Sequence, residues 1–315
     1  MRGRHPDQDP CPQAIPVGRH YLGRSRRRTL PAHQRLQTSP TAAGQQGEGQ
    51  ARRQNDDEGR EGAVRLRGHP LLVNGSTHPV DNRIAPPVLV GGYVLERPGH
   101  RPGGAAADVL RHAISNGWPT GPLAGDRAYN NSDSDTFQLP ALALGFELLF
   151  DYRDDQLGIQ AEHAGAVQIE GRWHCPHMPA GLVEATKDFR GEQIAEDTWR
   201  QRLAARRAYE LRPKAHPDNE GHQRMHCPAA GDSPTVRCPM KKTSMRFTAK
   251  PTVVPTASPV DPPLVCAQQS ITMPPEAGAK HGQALPFESP EWSNAYHTLR
   301  NGVEGTNGYL KDRPT

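Results

Sequence analysis

Two acidic residues, far apart along the chain, stand in local patterns that could place a carboxylate where chemistry is done. Asp126 ends a short apolar run, residues 121–125, and is followed by Arg127 and turn-forming residues. This order is typical of a buried strand that delivers a carboxylate to the edge of a sheet. Glu304 lies in a late segment with helical periodicity. Carboxylates that are close in space can hold divalent cations.

The late segment is predicted to be a helix that begins at Ser289 and Pro290, a suitable N-cap and a suitable first helical residue. Four polar residues would share one stripe of about 80° on this helix: Tyr296, Arg300, Glu304 and Lys311. The neighbouring stripe is apolar and can pack on a sheet: Leu299, Val303 and Leu310. An amphipathic surface helix with solvated charges is the alternative interpretation.

The segments around Asp126 follow the order of an α/β fold. Apolar residues recur at helical spacing from Ala105 to Asn116, and Gly117 and Pro119 end this predicted helix. Further short apolar segments are predicted strands: residues 63–67, 70–74, 87–95 and 145–152. The order strand, strand, strand, helix, strand predicts an α/β domain with a mixed sheet.

Residues 153–285 depart from this pattern and are predicted to be an insertion between two parts of one domain. Residues 166–173 alternate as a strand does, and Ile194 to Tyr209 is predicted to be an amphipathic helix. Its solvent-facing side is predicted to carry four arginines: Arg200, Arg202, Arg206 and Arg207. Residues 213–285 are rich in Pro and irregular. The predicted divisions are residues 1–61, 62–152, 153–285 and 286–315.

The first 61 residues are predicted to be a disordered, Arg-rich segment. Only 34% of the chain is hydrophobic and 5% aromatic, too little apolar material for tight packing of all 315 residues. Residues 1–60 hold 11 Arg against 6 acidic residues, whereas the whole chain carries a net charge of +4. We interpret this segment as a solvated tail. The alternatives are an arm that binds the DNA backbone and a segment translated outside an original reading frame.

Residues 1–30 have no apolar stretch of the kind that a secretory leader needs, and no run approaches 18 apolar residues. We therefore expect a cytoplasmic protein with no membrane partner. Its five cysteines would then be reduced, and would be free thiols or metal ligands rather than disulfides.

Four of the cysteines fall inside the predicted insertion: Cys175, Cys227, Cys238 and Cys266. Four reduced thiols can bind Zn²⁺ tetrahedrally, and three histidines could substitute for one of them: His174, His177 and His226. No paired Cys-x2-Cys motif is present. A zinc site and unligated thiols in loops therefore both stay open.

The sequence from Asp126 to Tyr129, Asp-Arg-Ala-Tyr, resembles a signature of the DDE-type transposases of bacterial insertion sequences. In that family the second catalytic Asp ends a sheet strand in a short Asp-Arg-(Gly/Ala)-Tyr motif. The predicted helix at Ile194–Tyr209 and residues 274–280 also look like transposase-type proteins of GC-rich actinobacteria. The resemblance covers roughly residues 85–312.

The late helix carries the second motif of the resemblance. In the family the catalytic Glu lies in a Tyr-x2-Arg-x3-Glu-x6-Lys pattern. Its last three positions are matched by Arg300, Glu304 and Lys311. Tyr296 lies one residue earlier than the pattern requires, and His297 occupies the position of the Tyr.

The resemblance implies a ribonuclease-H-like mixed sheet with flanking helices, interrupted by the insertion. It also implies cleavage and strand transfer of double-stranded DNA at insertion-sequence ends, with Asp126 and Glu304 as ligands of Mg²⁺ or Mn²⁺. The implied DNA-binding residues are Tyr296, Arg300, Lys311 and Arg127. A homodimer and association with the bacterial nucleoid are further expectations.

One catalytic carboxylate of the family has no clear counterpart. The first catalytic Asp lies on the family's first strand, and residues 62–80 contain no Asp. Asp81, in a turn, is the best remaining candidate. No N-terminal helix-turn-helix is recognisable either. We therefore expect a degenerate or truncated member with weak or absent activity.

The alternative from another class is a non-enzymatic nucleic-acid-binding protein. It would use the Arg-rich N-terminal segment and a zinc-held insertion to bind nucleic acid. The sequence contains no Gly-x-Gly-x-x-Gly after a strand, no P-loop and no Gly-x-Ser-x-Gly. Nucleotide binding and serine hydrolysis therefore have no support.

Overall fold

The structure, a computed structural model, describes residues 13–17, 67–74, 88–97, 99–255 and 260–311. Side chains are described for residues 68–73, 88–97, 99–255 and 260–306. Asp81 and Cys11 lie outside the described residues, as does most of the segment 1–61. The described chain is a mixed α/β structure with several small sheets, which confirms the α/β prediction.

The first half of the chain forms a central sheet region. Its elements are β1 (Gln13–Val17), β2 (Arg67–Asn74), β3 (Leu89–Glu96), α1 (Pro102–Ser115), β4 (Pro122–Gly125), α2 (Arg127–Asn130), α3 (Gln138–Ala143) and β5 (Glu147–Phe150). Strands β1, β2 and β3 are antiparallel neighbours, in that order, and β4 pairs with β5 in parallel. Outside its own sheet, β1 lies against β4. The helix predicted at 105–116 and the strands predicted before Asp126 and within 145–152 are confirmed.

Two predictions about the early strands need correction. Gln13–Val17 is a strand although residues 1–61 were predicted to be disordered, because β2 supplies an antiparallel partner that no local pattern reveals. Two strands were predicted at 63–67 and 70–74, but β2 is continuous from Arg67 to Asn74, and residues 63–66 lie outside the described part of the chain. Gly68 gives room there to the ring of Tyr93 on β3: a Cβ atom at residue 68 would lie 1.7 Å from the Tyr93 hydroxyl oxygen.

The rest of the described chain contains two small antiparallel sheets and a long final helix. Its elements are β6 (Ile159–His163), β7 (Ala166–Ile169), β8 (Arg172–His174), α4 (Ala180–Val183), α5 (Ala185–Arg190), α6 (Glu196–Arg206), β9 (Arg212–Pro213), β10 (Gln223–His226), α7 (Leu264–Ala267), β11 (Ser270–Met273) and α8 (Pro290–Lys311). One sheet has the order β6-β7-β8 and the other the order β11-β10-β9. None of the helices within the described ranges has the length and apolar character needed to cross a membrane.

Both faces of the central strands are covered by helices. Adjacent residues on a strand point to opposite faces. On each of β2, β4 and β5, one residue packs in a hydrophobic cluster formed with α1, and the next residue packs in a second cluster formed with α8. The first cluster contains Leu71, Leu123 and Leu148, and the second contains Leu72, Ala124 and Leu149. This explains why the strands appear in the sequence as continuous apolar runs. It also fixes α8 on the side opposite α1.

The single strand predicted at 166–173 is instead the hairpin β7–β8. Glu170 and Gly171 form its turn with positive φ angles of 47° and 83°. Two residues with positive φ suit the tight turn between antiparallel strands, because they match the twist of the strands. The alternating pattern continues across this turn and therefore hides it.

The helix predicted at 194–209 is present as α6, followed by a short 3-10 turn over Arg207–Tyr209. The prediction that Arg206 faces solvent is wrong. Its side chain is only 7% exposed and pairs with Glu170, which is 2% exposed. Arg206 also donates from Nε to the carbonyl oxygen of Leu182 at 2.9 Å. The buried carboxylate in the β7–β8 turn is the reason for this inward orientation.

Helix α8 begins where the sequence predicted. The Ser289 hydroxyl accepts a hydrogen bond from the backbone N–H of Trp292 at 3.1 Å, which is the N-cap arrangement. Trp292 is buried, and its Nε1–H donates to Gln283 Oε1 at 2.8 Å. Gln283 also pairs with both the N–H and the C=O of Phe150, at 3.0 and 2.9 Å. The start of α8 is thereby tied to the end of β5.

Candidate active site

Two carboxylates stand at the same edge of the parallel pair β4–β5. Gly125 is opposite Phe150 in the register, and Asp126 and Asp151 directly follow these residues. The region outside the carboxyl ends of parallel strands is a common place for ligands in α/β proteins. Asp151 was missed in the sequence, although it follows an apolar strand in the same way as Asp126.

Helix α8 brings Glu304 to this edge through Arg300. The guanidinium of Arg300 lies with Nη1 3.9 Å from Asp126 Oδ1 and with Nε 3.4 Å from Glu304 Oε1. Asp126 is 29% exposed and Glu304 is 63% exposed, so solvent reaches both carboxylates. One cationic side chain therefore joins two acidic residues that are separated by most of the described chain.

Asp151 is held by two arginines. It accepts from Arg127 Nε at 3.1 Å and makes a second contact with the same guanidinium. Arg190 approaches it at 3.3 Å and also pairs with Asp154 at 3.0 Å and Glu288 at 3.6 Å. The hydrogen bond to Asp151 raises the pKa of Arg127, and burial raises the pKa of Glu288 against the opposite effect of Arg190. Asp151 thus positions Arg127 beside Asp126.

Tyr296 and His297 are the two residues near the Tyr position of the family's motif. The side chain of Tyr296 is buried, whereas His297 is exposed. The ring of Tyr296 stacks on Trp292 with centroids 4.7 Å apart. Burial raises the pKa of Tyr296 to about 12, although the charge of Arg300 acts in the opposite direction. Its hydroxyl group is therefore protonated at neutral pH and can donate a hydrogen bond.

Tyr129 serves the fold and not the exposed site. It is fully buried in the cluster with α1, and its hydroxyl lies 2.8 Å from Nδ1 of the buried His69 on β2. This contact anchors the short helix α2, which begins at Arg127 directly after Asp126. The Tyr of the Asp-Arg-Ala-Tyr motif thus fixes the backbone that carries the carboxylate.

The other predicted site residues either lie outside the described part of the chain or are found elsewhere in the fold. The backbone of Lys311 ends α8, and its side chain lies outside the described part of the structure, as does all of Asp81. The strand β1 lies against β4 but contains no acidic residue. The four cysteines of the predicted insertion are buried elsewhere, in the region of the small sheets.

The chain matches no family model, no curated protein and no solved structure. Carboxylate oxygens are suitable ligands for Mg²⁺ and Mn²⁺, and Asp126 and Glu304 face a common space in which Arg300 already supplies positive charge. Across the described ranges, no three His, Cys, Asp or Glu side chains are already arranged as metal ligands. A divalent cation fits the donor chemistry, but its binding requires Arg300 to move.

Arg300→Met should strengthen Mn²⁺ binding because it removes the cation that competes for Asp126 and Glu304. The site is partly exposed and screened by solvent, so we expect a gain of about 1 kcal/mol, roughly fivefold in the dissociation constant. The loss of free Mn²⁺ signal in electron paramagnetic resonance measures this binding. Arg111→Met is the matched control, since Arg111 pairs with the exposed Asp108 on α1. Equal or weaker binding by Arg300→Met would show that the guanidinium does not compete with the metal.

Proposed function

We propose that the chain is a DDE-type, transposase-like protein with a ribonuclease-H-like catalytic region and an incomplete catalytic site. The observation that carries this proposal is the joining of Asp126 and Glu304 by Arg300, beside the carboxyl ends of β4 and β5. An acidic pair in reach of one cation is what metal-dependent cleavage of a phosphodiester needs from a protein.

The succession of elements supports the ribonuclease-H-like assignment. Three antiparallel strands precede a helix and two parallel strands, and β1 lies between β2 and β4. A late helix then packs on the face opposite α1, and Glu304 reaches the strand edge from that helix. The resemblance in the sequence requires this placement of Asp126 and Glu304, although the two motifs are separated by the small sheets.

The residues of the site divide into two tasks. Asp126 and Glu304 would hold Mg²⁺ or Mn²⁺, which supplies activation of a nucleophile and stabilisation of the leaving oxygen when bound. Arg300 would turn from the carboxylates to a DNA phosphate once a metal ion replaces it, because it then loses its two acidic partners. Arg127, held by Asp151, would bind a neighbouring phosphate. The protonated Tyr296 hydroxyl would donate a hydrogen bond to a phosphate oxygen of the same DNA segment.

The site lacks a third free carboxylate among the described residues, which is why we propose weakened activity. Strand β1 has no acidic residue, and Asp151 is paired with Arg127 and Arg190. Two carboxylates leave more of the coordination of the metal ion to water, so metal binding should be weak. Mn²⁺ should support more activity than Mg²⁺, because it binds such sites more tightly and tolerates irregular geometry better.

The test is nicking of supercoiled plasmid DNA by the purified full chain. We expect slow conversion to the open-circular form with Mn²⁺, less with Mg²⁺, and none after chelation. Binding to short duplexes should weaken steeply with salt, because phosphate contacts release counterions. The control is a variant with both Asp126→Asn and Glu304→Gln. If the wild-type chain nicks DNA no faster than this variant, the enzymatic part of the proposal is removed.

A further inference from the structure

Four buried thiols lie together in the region of the small sheets, away from the acidic edge. Cys175, Cys227 and Cys238 are each 5% exposed and Cys266 is 6% exposed, and none forms a disulfide. They come from four separate segments: Cys175 directly follows β8, Cys227 directly follows β10, Cys238 precedes a turn, and Cys266 lies in α7. The fold thus gathers residues that are widely spaced in the sequence.

The surroundings connect the four thiols to one another. Cys175, Cys227 and Cys238 belong to one hydrophobic cluster, and Met240 packs against both that cluster and the one that contains Cys266. The side chain of Cys175 is close enough to the other three to interact with them electrostatically, and Cys266 interacts in the same way with Cys227 and Cys238. The four thiols therefore lie near one another and do not occupy unrelated positions in the core.

Three of the four cysteines each begin a tight turn. The backbone N–H of the residue three positions later donates to the carbonyl oxygen of the cysteine: Met178 to Cys175 at 3.1 Å, Ala230 to Cys227 at 2.9 Å and Lys241 to Cys238 at 2.8 Å. The backbone at these three positions is therefore fixed by local hydrogen bonds.

A cation also lies beside the group. Lys241 donates from Nζ to the carbonyl oxygens of Cys266 and Gln268, the second at 2.8 Å, and its charge acts on both Cys227 and Cys266. Because a tetrathiolate zinc centre carries a net charge of −2, a nearby ammonium group would offset part of that charge. The lysine therefore suits an anionic centre better than four neutral thiols.

The region around the thiols has little regular structure to hold it. Its sheets have strands of two to five residues, and residues 227–263 contain neither an α-helix nor a named strand among those described. Small units with short elements and limited apolar cores usually need a disulfide or a metal ion to be stable. The free thiols leave the metal ion as the available means.

We propose that Cys175, Cys227, Cys238 and Cys266 bind one structural zinc ion, which fastens four segments of the insertion to one another. Binding replaces four S–H protons by four Zn–S bonds and releases the protons to solvent. No described set of three ligand side chains already surrounds a common point, so the thiols must turn inward as the ion binds. The role is structural and does not depend on the proposed DNA chemistry.

The first test is elemental analysis of the full chain, purified under reducing conditions and equilibrated with Zn²⁺ before desalting. We expect about one zinc ion per chain, and a loss of at least about fivefold in zinc content for Cys238→Ser, because one of four ligands is removed. Cys11→Ser is the matched control and should retain the metal. A wild-type chain without zinc, or equal zinc in both variants, overturns the proposal.

The second test avoids any variant that fails to fold. Co²⁺ is added to the wild-type chain in place of Zn²⁺, and the visible spectrum is recorded. Four thiolate ligands should give the intense absorption of tetrahedral cobalt together with sulfur-to-cobalt charge-transfer bands, and Zn²⁺ should abolish both. A weak spectrum typical of octahedral cobalt contradicts the site.

Discussion

Asp126→Asn should reduce Mn²⁺-dependent nicking of plasmid DNA by at least about a hundredfold, which is the scale of loss when one essential charged group leaves a catalytic site. The amide keeps the size of the side chain but loses the negative charge that a divalent cation requires. The short helix α2 and its anchor at Tyr129 should stay in place, so the loss would come from the charge. Initial rates of open-circular product, measured over a range of Mn²⁺ concentrations, test this result.

Asp108→Asn provides the matched control for that experiment. Asp108 is an exposed carboxylate on α1 that pairs with Arg101 and Arg111, away from β4 and β5. The same chemical change there should leave the nicking rate within about twofold, because surface substitutions outside such sites have small effects. Equal losses in Asp108→Asn and Asp126→Asn, or no loss in either, would remove Asp126 from the site.

Arg206→Ala should lower the free energy of unfolding by about 3–5 kcal/mol, the range for removal of one partner from a buried ion pair. Glu170 would be left buried and charged in the β7–β8 turn, and the carbonyl oxygen of Leu182 would lose its donor. Urea unfolding followed by tryptophan fluorescence measures the effect, and Trp199, which lies on the same helix, is one of the four tryptophans that contribute to the signal.

Arg200→Ala is the control for Arg206→Ala. Arg200 pairs with Glu196 one turn away on the exposed side of α6, and both side chains are largely in solvent. Such pairs contribute about 0.3–0.5 kcal/mol. A variant with Arg206→Met and Glu170→Leu should recover most of the lost stability, because no buried charge is left unpaired. Equal destabilisation by Arg200→Ala and Arg206→Ala contradicts the buried pair.

The main helices and strands were predictable because their local patterns agree with their final surroundings. The helix at 105–116 has a helical spacing of apolar residues, and α8 begins with a matching N-cap at Ser289. The apolar runs that become β4 and β5 predicted strands, although not that each residue pair divides between two covered faces. Local periodicity thus identified elements, while the layers depended on contacts between them.

The errors arose where a distant partner decides the local structure. Gln13–Val17 becomes a strand because β2 pairs with it, and its own pattern is too short to predict this. The tight turn at Glu170 and Gly171 interrupts an alternation that continues on both sides. Arg206 turns inward because Glu170 lies below α6, and a helical projection cannot include that carboxylate.

The candidate site shows the same division. Asp126 and Glu304 could be selected from the sequence, since each lies in a recognisable local pattern. Their common contact with Arg300 depends on how α8 crosses the edge of β4 and β5, which only the structure supplies. Asp151 had the same strand-end signal as Asp126 and could have been found, whereas its partner Arg190 comes from α5 and carries no such signal.

A double-mutant cycle on Mn²⁺ affinity tests most directly whether Asp126 and Glu304 hold the same ion. The wild type, Asp126→Asn, Glu304→Gln and the variant with both changes would each be titrated with Mn²⁺. If both carboxylates bind one ion, each single change should weaken binding by about tenfold or more, and the double variant should be little weaker than either, because groups that act as a unit are not additive. Additive losses, or a wild type that binds Mn²⁺ no better than the double variant, would contradict a shared metal site.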